Sequence, residues 1–200
     1  MKLLKLCVSG LPLLQDKCEI DFMALQRVTE ENAEQMSKVF SSQVQTFYKN
    51  NVISFIGINA SGKTTLLKLI TFTSRLLNNE PISTIDCSEI LDGLTEGQQV
   101  VLDIYFYAQN KSTVPFTDNG AINWLQTVIV RQNNKFIIAR EVLKSKAIDK
   151  SVRKKNLFDF TNVEINMSRH LINSEFLLDD VSIMVAFNKR NKEALLVTDM

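Results

Sequence analysis

The residues best equipped for chemistry in this chain are Gly57-Ile58-Asn59-Ala60-Ser61-Gly62-Lys63-Thr64, which fit G-x-x-x-x-G-K-[ST] at every fixed position. That pattern grips the phosphate chain of a nucleoside triphosphate. Glycine at 57 and 62 lets the backbone follow a tight, partly left-handed path that turns successive amide N–H groups toward phosphate oxygens. A helix starting within Gly62-Lys63-Thr64 adds its unsatisfied amides and the positive end of its dipole. Lys63 then acts as a point charge at the β- and γ-phosphates, and the Thr64 hydroxyl as a ligand of Mg²⁺. Thr65 offers a second hydroxyl toward the α-phosphate. Asn59, Ala60 and Ser61 contribute mainly backbone amides, and the Asn59 side chain adds a candidate contact on the γ-phosphate side.

Such a loop needs a strand before it and a helix after it. Val52 to Ile56 reads as a buried strand, and Lys63 to Leu77 as a helix whose Leu66, Leu67, Leu69, Ile70 and Leu76 face a sheet, ended by Asn78-Asn79 and Pro81. Upstream, Leu4, Leu6 and Val8 alternate with Lys5 and Cys7, and Ile20 and Phe22 with Glu19 and Asp21, giving an antiparallel strand pair around Gly10-Leu11-Pro12. Between Thr29 and Lys49, apolar residues recur at steps of three and four, which favours an amphipathic helix capped at Thr29-Glu30-Glu31. Downstream, Val100 to Tyr107, Trp124 to Arg131 and Lys135 to Leu143 are strands, the last two joined by a turn at Gln132-Asn133-Asn134. Shorter strands are expected at Leu157 to Phe160, Val163 to Asn166 and Val181 to Phe187. The expected architecture is one α/β core around the loop with an antiparallel β-lobe over residues 98–167.

The run from Phe55 to Ile70, preceded by an N-terminal strand pair, resembles the ATP-binding-cassette class of bacterial AAA-family ATPases. This group includes the overcoming-lysogenization-defect nucleases and the abortive-infection ATPases. The resemblance implies an α/β P-loop NTPase fold of ABC-ATPase type with N-terminal antiparallel strands and an inserted antiparallel β-lobe. It also implies a cytoplasmic ATP- and Mg²⁺-binding ATPase that closes as a homodimer or against a partner subunit, coupled to an anti-phage or DNA-processing effector. The catalytic half of the family pattern is absent. Phe176-Leu177-Leu178-Asp179-Asp180 has Asp where the catalytic glutamate should stand, and Leu195-Leu196-Val197-Thr198-Asp199 reaches Met200 before any glutamate. No signature segment of the L-S-G-G-Q kind appears, so residues 1–200 are expected to be the N-terminal half of a longer ATPase. The alternatives are a regulatory module that binds ATP without hydrolysing it, and a P-loop kinase, against which the long antiparallel segment counts.

Composition narrows the rest. Charges nearly cancel, 23 Lys+Arg against 22 Asp+Glu, so a nucleic-acid partner has to be argued from a local patch. The candidate patch is Arg140, Lys144, Lys146, Lys150, Arg153, Lys154 and Lys155. Cys7, Cys18 and Cys87 form no C-x-x-C pair and His170 is the only histidine, which excludes a disulfide framework and a zinc cluster and suits a reducing cytoplasm. No apolar run reaches the roughly 18 residues of a membrane span. Gln98, Gln99, Gln109, Gln126 and Gln132 are the candidates for a glutamine that the resemblance places at Mg²⁺. Arg27, Phe47 and Tyr48 are candidate nucleotide neighbours, with a surface arginine and a packed helix face as the plainer readings.

Overall fold

Alternation decides the first elements. Lys2–Ser9 forms β1 and Cys18–Asp21 forms β2, antiparallel to it, with Ile20 buried between exposed Glu19 and Asp21. Lys5 Nζ on β1 lies 2.6 Å from Glu19 Oε1 on β2, and this contact holds the Glu19 carboxyl below its ordinary value. The computed structural model describes residues 1–14, 17–24, 28–29, 32–42, 45–59, 61–109, 120–148, 152–172 and 177–191.

β3 (Met36–Ser41) and β4 (Thr46–Asn50) make a separate two-stranded hairpin, and α1 runs over Lys63–Leu77. Three long strands follow, β5 (Gln99–Gln109), β6 (Gly120–Gln132) and β7 (Lys135–Ala147), then β8 (Ile165–Ser168) and α2 (Met184–Asn191). The main sheet is six-stranded in the order β2-β1-β5-β6-β7-β8, with every pairing antiparallel. Asn133 and Asn134, at φ 51° and 60°, turn β6 into β7 between the paired Gln132 and Lys135, the left-handed two-residue turn that asparagine tolerates.

Both faces of this sheet are apolar. Leu102, Ile104 and Phe106 of β5 and Leu125 and Ile129 of β6 face α1 through Leu69, Phe72 and Leu76, and face α2 through Met184 and Phe187. Tyr107, Ile122 and Leu4 face the other way, onto Phe40 and Phe47 of the hairpin and onto Val152, Leu157 and Phe160. A register shift between Leu3 and Lys5 is what moves Leu4 to the second face while Leu6 and Val8 stay on the first. Phe40 stacks on Phe47 at 4.5 Å and on Tyr107 at 5.3 Å, so the hairpin is pinned to the sheet by rings.

The structure corrects the expected fold class. Among the described residues the fold is mostly antiparallel β, with eight strands and two α-helices, and not the α/β P-loop NTPase fold of ABC-ATPase type with N-terminal antiparallel strands and an inserted antiparallel β-lobe. Val52 to Ile56 joins no sheet among the described residues, although its side chains alternate in exposure. The stretch expected as a helix from Thr29 to Lys49 contains the β3–β4 hairpin instead: Val39 and Phe40, adjacent at a register shift, and Phe47 on the partner strand are buried and join the apolar cluster of Tyr107 and Ile122. Val181 to Phe187 is not a strand; Ile183, Met184 and Phe187 lie one helical turn apart and bury as the start of α2. Leu157 to Phe160 is irregular, and β8 begins two residues after the expected strand. The helix Lys63–Leu77, the N-terminal strand pair and the three long strands stand where the sequence placed them.

A buried carboxylate ties the C-terminal segment to the sheet. Glu141 on β7 accepts hydrogen bonds from Thr127 Oγ1 (2.9 Å), Ser182 Oγ (2.7 Å) and the Ile183 amide (2.8 Å), with Arg169 Nη1 at 3.6 Å. Burial pushes this carboxyl above its ordinary value, while the donors and Arg169 pull it back. Glu141→Leu strands these donors and should cost about 3 kcal/mol, or roughly 6–12 °C in Tm for a chain of this size, read by thermal unfolding. Conversely, the buried Thr73 hydroxyl on α1 has no partner among the described residues. Thr73→Val, which keeps the shape and removes the unmet polar group, should raise stability by about 1 kcal/mol, read from the denaturant midpoint at unchanged slope.

Candidate functional site

The loop leads into α1 as the pattern requires. Gly62 sits at φ 84° as the residue capping the helix, and Lys63 is its first helical residue. The left-handed angle costs a residue with a Cβ about 1–2 kcal/mol, which is why glycine suits the position. At Gly57 the constraint is proximity: a Cβ there would stand 2.6 Å from Ser61 Oγ. The loop closes on itself through Ser61 N–H donating to Ile58 O at 3.3 Å, and α1 begins with Leu66 N–H to Gly62 O at 2.9 Å.

Lys63 folds back into the loop rather than into an ion pair. Its ammonium donates to Gly57 O (2.8 Å), Ile58 O (2.6 Å) and Ser61 Oγ (3.3 Å). No side chain caps α1 and no acidic residue stands in its first turn, so the amides at the helix start remain open to an anion. Thr64 is exposed and Thr65 half-buried, and neither hydroxyl has a partner among the described residues. Gly57, Asn59 and Ser61 are exposed. Thus Gly57, Asn59, Ser61, Gly62, Lys63, Thr64 and Thr65 are brought together around one turn; Ala60 lies outside the described residues.

The other candidates are not brought to the loop. Asp179 and Asp180 form a turn on the far side of α1: their carbonyls accept from Ile138 N–H (2.7 Å) and Ile82 N–H (2.9 Å), and the Asp180 carboxylate accepts from the Ser83 hydroxyl. Ser83 follows the C-terminal end of α1, and the loop lies at the other end of a helix about 22 Å long. Phe176, Arg27 and Leu195 to Asp199 lie outside the described residues. Gln126 bonds Asp103 and Arg140, and the Gln98 side chain accepts from the Thr95 amide. Among the described residues, no group of three or more His, Cys, Asp or Glu is arranged to hold a metal.

Phe47 and Tyr48 belong to β4, not to a helix, and line a cavity of about 660 Å³ with Asp21, Met23, Lys154, Leu157 and Phe158. Sequence reading missed this cavity, because it depends on the hairpin folding over residues 152–160. His170 Nδ1 lies 3.1 Å from Ser168 Oγ, which is fully buried, so the pair offers no accessible nucleophile. The three thiols are free, and burial raises each, Cys7 to about 11, which keeps them protonated and unreactive at neutral pH.

Much of the basic stretch serves the fold. Lys146 donates to three carbonyls, of Asn156, Leu157 and Asp159, and lies over the Phe160 ring at 4.8 Å. Lys144 reaches Phe160 O and Lys154 reaches Ala24 O. Arg153 and Lys155 remain exposed, and Lys150 lies outside the described residues.

Compared with protein families, curated proteins and solved structures, the chain finds no match in any of the three.

Lys146→Gln should lower stability by about 2 kcal/mol through the lost charge-assisted bonds. Equilibrium urea unfolding reads this, with an unchanged midpoint as the contrary result.

Proposed function

We propose that residues 57–65 bind the phosphate chain of ATP with Mg²⁺. The observation that carries the proposal is the Lys63 ammonium held inside the loop by the Gly57 and Ile58 carbonyls, at the uncapped start of α1. A cation parked against carbonyls gains only what those neutral acceptors give. A triphosphate presents charged oxygens to the same ammonium, so exchange of partners favours the bound state. The residues fit the ligand: glycines where a side chain would clash or strain, open amides, and a free Thr64 hydroxyl for the metal.

Gly57, Asn59, Ala60, Ser61 and Gly62 would supply backbone donors, Lys63 the counter-charge, and Thr64 the protein's contribution to Mg²⁺, whose remaining ligands come from phosphates and water. Mg²⁺, when bound, would supply charge neutralisation to the phosphate chain. The described residues bring no carboxylate to the loop for polarising a water molecule, which favours retention of nucleotide over turnover by these residues alone. Hydrolysis would then depend on groups supplied by a second copy or a partner subunit. The effector implied by the family resemblance is one of phage defence or DNA processing.

With Mg-ATP at about 100 times its dissociation constant, linkage gives about 2.7 kcal/mol of stabilisation, which is roughly 5–11 °C in Tm. Wild type should show this shift and Lys63→Ala should lose most of it. An unshifted wild type, or an equal shift in Lys63→Ala, contradicts the assignment.

A further inference from the structure

The cavity beside the hairpin is apolar at its floor and charged at its mouth. It lies on the sheet face away from α1, since Met23, Phe47 and Leu157 belong to the cluster of the β3–β4 hairpin, whereas Leu69 and Phe72 of α1 belong to the other. Met23, Phe47 and Leu157 are buried and form the floor. Half-buried Tyr48 and Phe158 add further ring surface, and Phe158 is steadied edge-on by Tyr105 at 5.0 Å. At about 660 Å³ the space has the size of a small-molecule site.

The mouth carries a charge of each sign. Asp21, at the end of β2, and Lys154 both line the cavity and are exposed. The Asp21 carboxylate accepts the Met23 amide at 2.8 Å, while the cation paired with it in register, Lys5, is committed to Glu19 at 2.6 Å. Lys154 Nζ donates to Ala24 O at 2.8 Å. Ala24 follows Asp21 by only three residues, at most about 11 Å of chain, so the opposite charges stand at one opening. Each holds a neutral peptide group, and a charged partner binds more strongly than a neutral one. A purely apolar ligand would desolvate both charges without pairing them, and a ligand of single charge would meet one of its own sign. A zwitterion with an apolar ring suits floor and mouth together.

We propose that this cavity binds a free aromatic amino acid, with its ring against Phe47, Tyr48 and Phe158, its α-ammonium at Asp21 and its α-carboxylate at Lys154. Offset or edge-on contact between rings supplies the preference over an aliphatic side chain. The site is separate from the 57–65 loop and needs no nucleotide.

An amide NMR titration of the full chain with L-tryptophan, without nucleotide, tests it. Saturable shifts centred on Phe47, Tyr48 and Phe158 are expected, with a dissociation constant below about 1 mM. Tryptamine and indole-3-propionate, which each lack one charge, and L-leucine, which lacks the ring, should each bind at least about tenfold more weakly. Asp21→Asn should weaken tryptophan about tenfold and leave indole-3-propionate within about twofold, whereas Lys154→Gln should weaken tryptophan and spare tryptamine. Lys63→Ala should bind tryptophan as wild type does. The proposal is overturned by unmoved cavity amides in wild type, by tryptamine or indole-3-propionate binding as tightly as tryptophan, or by either mouth substitution weakening every ligand alike.

Discussion

The constraint on which this structure depends is that its six-stranded sheet is apolar on both faces and needs cover on each. One face is met by α1, α2 and the turns around Ile82 and Ile90, the other by the β3–β4 hairpin and residues 152–160. Phe106, Ile104 and Leu125, fully buried, each contribute about 1.5–3 kcal/mol relative to exposure. That requirement fixes α1 against the sheet through Leu69, Phe72 and Leu76. The glycine loop is therefore presented at the free end of a helix whose body cannot shift without exposing the core.

Where apolar cover does not reach, single polar groups hold the parts. Glu141 gathers Thr127, Ser182, Ile183 and Arg169, so the segment leading into α2 is tied to the middle of β7. Lys146 does the same for residues 156–159. Lys63 repeats the device at the loop, with one difference: its acceptors, the Gly57 and Ile58 carbonyls and the Ser61 hydroxyl, lie in an exposed turn. Buried networks of the first kind are costly to break, whereas the Lys63 contacts can be exchanged for a stronger anion without disturbing the core.

The loop and its helix were legible because their residues answer to local rules: glycine where φ is positive, helix spacing at Leu69, Phe72 and Leu76, and asparagine at the β6–β7 turn. The hairpin at 36–50 was not, since Val39, Phe40, Phe47 and Tyr48 fall at helix-like spacing, and the register shift that buries adjacent Val39 and Phe40 under Tyr107 is a property of the paired strands. Glu141 was hidden by an irregularity. Val128 pairs with Arg140 and Ile129 with Ile138, leaving Ala139 as an extra residue that changes which side chains of β7 point inward. The expected α/β core failed for a related reason: Val52 to Ile56 has the composition of a core strand, but pairing is a property of neighbours, and the long strands β5, β6 and β7 pair with one another and with β1 instead.

The central claim is that the amides from Gly57 to Thr65 converge on a phosphate chain, with Lys63 as counter-charge. The most direct measurement is a residue-by-residue amide NMR titration with Mg-ATP. Saturable shifts concentrated at Gly57, Ser61, Gly62, Lys63 and Thr64, and absent with adenosine, are the predicted result. Shifts centred on the cavity at Phe47, Tyr48 and Phe158, with the loop amides unmoved, would contradict the account.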